Sequence, residues 1–168
     1  FKGTEIYQKM FNYQQEGVEY IVRHFGGRAL IADDMGLGKT LQALALAKYY
    51  KIKKILVICP AYLRYNWKAE FTKWLGIRDV CLIKKGKDPI NGYPVITSYE
   101  LAVKKKDDLM EFGFDMVICD ESHYLKNHKS KRTRALAPFV RKIEKALLLT
   151  GTPALNRPPE LFSQANMI

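Results

Sequence analysis

Residues 28–50 read RALIADDMGLGKTLQALALAKYY, and this stretch decides the fold. An apolar run, Ala29 to Ala32, leads into a glycine-punctuated loop. Lys39, Thr40 and an alanine- and leucine-rich segment of good helix propensity follow, which predicts strand, loop, helix. A polyphosphate needs several backbone N–H groups converging on it, and only glycine lets a chain curl that tightly without side chains in the way. Gly36 and Gly38 supply that freedom. The helix from Lys39 then aims its N-terminal dipole at the phosphates, Lys39 reaches the β- and γ-phosphate oxygens, and the Thr40 hydroxyl is placed to ligate magnesium. Asp33 stands where the first glycine of G-x-x-x-x-G-K-T belongs, so only the G-x-G-K-T core is intact. Beside a polyphosphate, Asp33 and Asp34 have to point away, cap backbone groups, or meet water and magnesium.

Outward from this loop, apolar β-rich runs recur at 55–59, 80–83, 95–97, 116–119 and 146–149, with helix-like segments at 63–75, 99–110 and 131–143. Pro138 predicts a kink or break in the last. Before the loop, residues 12–25 (NYQQEGVEYIVRHF) have near-helical apolar spacing, with Asn12 as N-cap and Gly26 and Gly27 as the stop. Strands covered on both faces read as nearly continuous hydrophobic runs, so the expected fold class is α/β, a mostly parallel central sheet with helices on both faces. No repeat, low-complexity tract or linker divides the 168 residues, and a single domain is expected over 1–168.

A second site follows the apolar strand 116–119: Asp120, Glu121, Ser122 and His123. Ligands of an open parallel sheet bind at the carboxyl ends of its strands, and DDMGLGKT and DESH both follow such an end. Asp120 can hold the magnesium shell while Glu121 orients and deprotonates the water that attacks the γ-phosphate. Alternation of side chains at a strand end would let the adjacent acids take different jobs. A P-loop NTPase with ATP and Mg2+ as cofactors is the expectation; the N-K-x-D loop of GTPases is absent.

Composition narrows the partners. The formal net charge is +11 from 28 Lys and Arg against 17 Asp and Glu, which points to an anionic partner or to a solvated lysine-rich surface. Cys59, Cys81 and Cys119 lie singly in apolar runs and read as reduced core residues; no metal-ligand spacing joins them to His24, His123 or His128. No apolar run reaches membrane-span length and no signal peptide is visible, so a soluble, non-secreted protein without a membrane partner is expected. Among the basic stretches 84–87, 104–106 and 126–134, the last (KNHKSKRTR) is densest and follows DESH directly. Lys126, Asn127 and Lys129 are therefore candidate contacts to the phosphate backbone of a nucleic acid. Trp67, Phe71 and Trp74 fall at helical spacing and read as core.

Several motifs in register carry a family resemblance over essentially the whole chain. Tyr13 and Gln14 resemble an adenine-reading glutamine region, DDMGLGKT motif I, CPAYLRYNWKAEFTKW (59–74) motif Ia, ITSYE (96–100) motif Ib, DESH motif II and LTGTPALNRPPELF (149–162) motif III. Together they resemble the first RecA-like lobe of the Swi/Snf-type superfamily 2 helicase-like ATPases, most of all the annealing-helicase branch. The resemblance implies a RecA-like P-loop fold, a DNA-dependent ATP hydrolase and a nuclear protein. It implies that Tyr13 and Gln14 contact adenine, that Asp34, Met35, Gly36, Leu37, Gly38, Lys39 and Thr40 hold the nucleotide, and that Thr40 and Asp120 hold magnesium. It further implies catalysis by Lys39, Asp120 and Glu121, coupling by Thr150, Gly151 and Thr152, and backbone contacts from Arg64, Asn66, Ser98 and Tyr99. Members of the family commonly carry acids just before the G-x-G-K-T core. The arginine finger would come from a second RecA-like lobe of the same full-length chain, so residues 1–168 are expected to be one monomeric lobe that binds ATP weakly and turns over little. A chromatin-remodeller lobe, a non-hydrolysing nucleic-acid module with a relict nucleotide site, and a different P-loop enzyme such as a small-molecule kinase are the alternatives.

Overall fold

The computed structural model describes residues 1–151 and 164–168. Six strands form one sheet: β1 (Arg28–Ile31), β2 (Ile55–Cys59), β3 (Cys81–Leu82), β4 (Val95–Ser98), β5 (Met116–Cys119) and β6 (Lys145–Leu149). Their order is β1-β6-β5-β2-β4-β3, and every pair is parallel. The helices are α1 (Glu5–Gln8), α2 (Asn12–Phe25), α3 (Lys39–Tyr49), α4 (Arg64–Leu75), α5 (Tyr99–Lys104), α6 (Lys106–Phe112) and α7 (Lys131–Lys142).

The continuous apolar runs are buried on both faces because the pleat sends alternate side chains to opposite layers. Ile55, Val57 and Cys59 of β2, with Met116 and Ile118 of β5, pack against α1 to α4. Leu56 and Ile58, with Val117 and Cys119, pack against α5 to α7. Each fully buried Leu, Ile or Phe contributes roughly 1.5–3 kcal/mol. The helix behind the loop, α3, is buried along its whole run from Leu41 to Ala47, so it cannot shift without disturbing the sheet. All three cysteines are buried and free, and burial pushes the Cys59 and Cys119 thiols up to about 12, which keeps them protonated and inert.

Local departures have physical causes. Phe11 rather than Asn12 occupies the N-cap of α2, and that helix ends at Gly26 in the left-handed region, φ +57°. The strand expected over 80–83 is only Cys81–Leu82, at the sheet edge. The helix expected over 99–110 is two helices that meet at Lys105. Lys105 is buried, and its ammonium donates to the Gly86 carbonyl at 3.0 Å. Pro138 does not break α7: it stands on the exposed face, where water can serve the carbonyl deprived of an N–H partner.

Candidate nucleotide site

The loop of residues 32–38 joins β1 to α3 at the carboxyl end of the sheet. Gly36 and Gly38 have φ +81° and +75°, values that side chains disfavour. At Gly38 a Cβ would also lie 2.3 Å from Gln14 Nε2. That amide donates to the Leu37 carbonyl at 2.8 Å, and its oxygen accepts from the Phe11 N–H at 2.9 Å. The Tyr13 hydroxyl donates to the same Leu37 carbonyl at 3.2 Å. Gln14 and Tyr13 thus latch the start of α2 onto the phosphate-type loop. Gly38→Ala should break this latch and weaken ATP binding about tenfold or more, a factor of ten being about 1.4 kcal/mol. Titration with a fluorescent ATP analogue checks this, and unchanged affinity would show that the latch does not shape the site.

Asp33 leaves the phosphate side free. Its carboxylate accepts from Gln42 Nε2 at 2.7 Å, one turn into α3. Lys39 Nζ donates to the Asp33 and Asp34 carbonyls at 2.8 and 3.0 Å. The acid in the first-glycine position therefore anchors the loop to its helix, and the loop carbonyls orient the ammonium. Gly151 packs from the other side, where a Cβ would come 2.9 Å from Met35 Cγ and 3.7 Å from Lys39 Nζ. Thr150 is buried and its N–H donates to the Ile31 carbonyl at 3.0 Å. Thr152 lies outside the described residues.

Asp120 follows β5 and is 9% exposed. Trp67 Nε1 donates to its Oδ2 at 2.8 Å, and the Glu121 N–H donates to its Oδ1 at 2.8 Å. Burial raises the Asp120 carboxyl above the usual carboxylate range, and these two hydrogen bonds pull it part of the way back. Glu121 adopts φ 49° and ψ 50°, a left-handed conformation costly for a residue with a side chain. The left-handed turn comes directly after the strand, and both acids line one cavity. His123 Nδ1 lies 3.2 Å from Glu121 Oε2, at an angle that makes no hydrogen bond.

That cavity measures about 520 Å³, within the range of small-molecule sites. Gly36, Gly38, Lys39 and Thr40 of the loop and helix, Asp120 and Glu121 beyond β5, and Phe11, Tyr13, Gln14 and Trp74 all line it. A helix N-terminus, an ammonium, a hydroxyl and a buried carboxylate are the donor set that a nucleotide polyphosphate and magnesium require. Among the described residues no group of three or more His, Cys, Asp or Glu could hold a metal. Magnesium here would complete its shell with phosphate oxygens and water.

The expected DNA contacts are dispersed. Lys126, Asn127 and Lys129 are exposed beyond β5. Asn66 lines the nucleotide cavity. Arg64 donates to the Ala61 carbonyl at 3.0 Å and the Ile83 carbonyl at 2.9 Å, ties that hold the start of α4 to the sheet. Ser98 is buried and caps α5 by accepting from the Leu101 N–H. Tyr99 is fully buried, its hydroxyl donating to the Asp120 carbonyl at 2.7 Å. Ser98 and Tyr99 therefore face the interior instead of a DNA surface, because the core beneath β4 needs them.

Sequence reasoning missed the roles of Trp67, Gln42 and the Tyr99 hydroxyl. The available signal was that a buried indole or phenol needs a partner for its polar hydrogen.

A parallel sheet carrying a glycine loop, a helix-borne Lys-Thr pair and a facing Asp-Glu pair defines a RecA-like P-loop α/β domain. A family model described as SNF2-related domain matches residues 13–168, and the chain belongs to that family. It is 39% identical to the DNA annealing helicase and endonuclease ZRANB3 of Bos taurus, over 98% of this chain and 16% of that protein. It is also 39% identical to the SWI/SNF-related matrix-associated actin-dependent regulator of chromatin subfamily A-like protein 1 of Bos taurus, over 96% of this chain and 17% of that protein. Among solved structures, the Sulfolobus solfataricus SWI2/SNF2 ATPase core in complex with dsDNA matches with a TM-score of 0.81 and 27% identity, covering 95% of this chain and 36% of that one. The chain thus spans about a sixth of the length of these two curated relatives.

Proposed function

We propose that this chain is the ATP-binding RecA-like lobe of a DNA-dependent ATPase that remodels DNA, after the manner named for its annealing-helicase relatives. The observation that carries the reading is the single cavity shared by Lys39 and Thr40 at the α3 N-terminus and Asp120 and Glu121 beyond β5. Lys39 binds the β- and γ-phosphates, exchanging its loop carbonyls for phosphate oxygens of higher charge. Thr40 and Asp120 would hold magnesium, which when bound neutralises charge on the phosphoryl oxygens. Glu121 orients the attacking water and takes its proton. Tyr13 and Gln14 border the adenine end.

The exposed basic run around Lys126, Asn127 and Lys129 meets the DNA backbone, giving salt-dependent binding with little sequence preference. A second RecA-like lobe of the full-length protein supplies the arginine finger, and the protein works on nuclear DNA. Among the described residues no helix is long and apolar enough to cross a membrane.

The test compares ATP turnover of the full-length protein with and without duplex DNA across a salt series. DNA should stimulate turnover, with the stimulation weakening as salt rises. Turnover indifferent to DNA would overturn the reading. Residues 1–168 alone should bind ATP yet hydrolyse little; robust DNA-stimulated hydrolysis by this piece would remove the second lobe from the mechanism.

A further inference from the structure

Asp120 is gripped through its backbone as well as its carboxylate, and the backbone grip leads to the basic surface. Tyr99, whose hydroxyl donates to the Asp120 carbonyl at 2.7 Å, stacks on Tyr124 with ring centroids 5.1 Å apart and an interplanar angle of 11°. Arg132, the second residue of α7, lays its guanidinium over both rings, 5.7 Å from Tyr99 and 5.0 Å from Tyr124. The same guanidinium donates from Nη2 to Glu100 Oε1 at 3.0 Å. Arg132 lies within the basic run 126–134, and its side chain is 33% exposed against 56% for Glu100.

The guanidinium is therefore held beside the aromatic stack, while one of its nitrogens is paired with a carboxylate and the group stays partly open to solvent. An exposed ion pair of this kind is weak and screened by salt, whereas a guanidinium edge meets a phosphate through paired, charge-assisted hydrogen bonds. A phosphate arriving along the basic run can displace Glu100 from Arg132 while the rings keep their hold on its face. The guanidinium then has two discrete partners, and the partner it takes bears on the two stacked rings, one of which holds Asp120.

We propose that Arg132 is a DNA-phosphate contact through which DNA occupancy is transmitted by Tyr124 and Tyr99 to Asp120, with Glu100 as the built-in competitor for the phosphate. The inference rests on the DNA-dependent ATPase reading and adds to it a binding residue, a positioning residue and a restraint. Arg132 binds; Tyr99 positions Asp120 without touching nucleotide.

The experiment measures ATP turnover of the full-length protein against a titration of duplex DNA. Glu100→Gln, on an exposed side chain, should lower the DNA concentration for half-maximal stimulation about threefold at low salt, and the difference should shrink as salt rises. Tyr99→Phe keeps the ring and its stack. It should leave that midpoint in place while the ratio of DNA-stimulated to DNA-free turnover falls about tenfold, through loss of one buried hydrogen bond. Arg132→Lys keeps charge but loses the fork, and should raise the midpoint and lower the ratio together.

A purely structural Tyr99 would change both turnover rates by one factor and leave the ratio intact; that result, or an unmoved midpoint in Glu100→Gln, overturns the inference. Should Tyr99→Phe fail to fold, the other two variants decide. A wild-type protein without DNA stimulation is a separate outcome, and it removes the underlying reading as well.

Discussion

In the full-length protein, Glu121→Gln should keep ATP bound and lose turnover by about 10²–10⁴-fold, the usual contribution of a positioned general base. Glutamine preserves the shape of the side chain and can still orient a water, but it cannot accept the proton. The variant is clean because the local grip on Asp120 uses the Glu121 backbone N–H, donated to Asp120 Oδ1 at 2.8 Å, and not its side chain. The left-handed turn at residue 121 serves glutamine and glutamate alike. Single-turnover hydrolysis, set beside the affinity for a fluorescent ATP analogue, separates chemistry from binding. Wild-type turnover in this variant would take the base role away from Glu121.

Lys39→Ala should act earlier, on binding. Hydrogen bonds between an ammonium and phosphate oxygens are each worth about 1.5–3 kcal/mol, so ATP affinity should fall about a hundredfold, with hydrolysis lost in consequence. The fold should survive, because α3 is anchored by its buried run from Leu41 to Ala47 and not by its first side chain. The substitution also strips the Asp33 and Asp34 carbonyls of their shared donor. Calorimetric titration with ATP is the direct measurement. Unchanged affinity would favour a nucleic-acid module whose nucleotide site is a relict.

The two variants bracket the site from its two strands. Lys39 stands one loop beyond β1, Glu121 one turn beyond β5, and β6 lies between those strands in the sheet. Nucleotide binding therefore draws on elements far apart in sequence, and the groups that hold them in place are part of the site. Trp67 reaches Asp120 from α4, and Tyr99 reaches it from α5. The α5 helix also meets the basic surface through the Glu100–Arg132 pair, so a disturbance there has a short route to the carboxylate.

How much of this was legible depended on the range of the interaction. The strands at 55–59 and 116–119 were readable to the residue, since a strand buried on both faces cannot tolerate polar interruption. The strand–loop–helix around Gly36, Gly38 and Lys39 was readable too, because the backbone conformations it needs are local and glycine-specific. The paired carboxylates after β5 could be located, but their arrangement could not. Alternation along a strand is a local rule, and it stops applying where Glu121 turns left-handed.

Other expectations failed for reasons that lie across the sheet. Helix propensity over 99–110 does not show the break at Lys105, whose ammonium reaches the Gly86 carbonyl across the fold. Proline in α7 reads as a break until its exposed position is known. Ser98 and Tyr99 resemble phosphate contacts in a motif, yet their neighbours in space are the Leu101 N–H and the Asp120 carbonyl.

From the chain alone came the class of fold, the layering of its apolar strands and the two stretches that meet at the nucleotide cavity, all of them consequences of periodicity, glycine and the carboxyl-end rule of parallel sheets. Tertiary structure alone decided that Asp33 turns to Gln42 and out of the nucleotide cavity, that Trp67 and Tyr99 clamp Asp120, and that Arg132 bridges the aromatic stack to the basic surface. Each joins groups carried by different elements of the fold. Their geometry is set by how helices pack on the sheet, which no local pattern encodes.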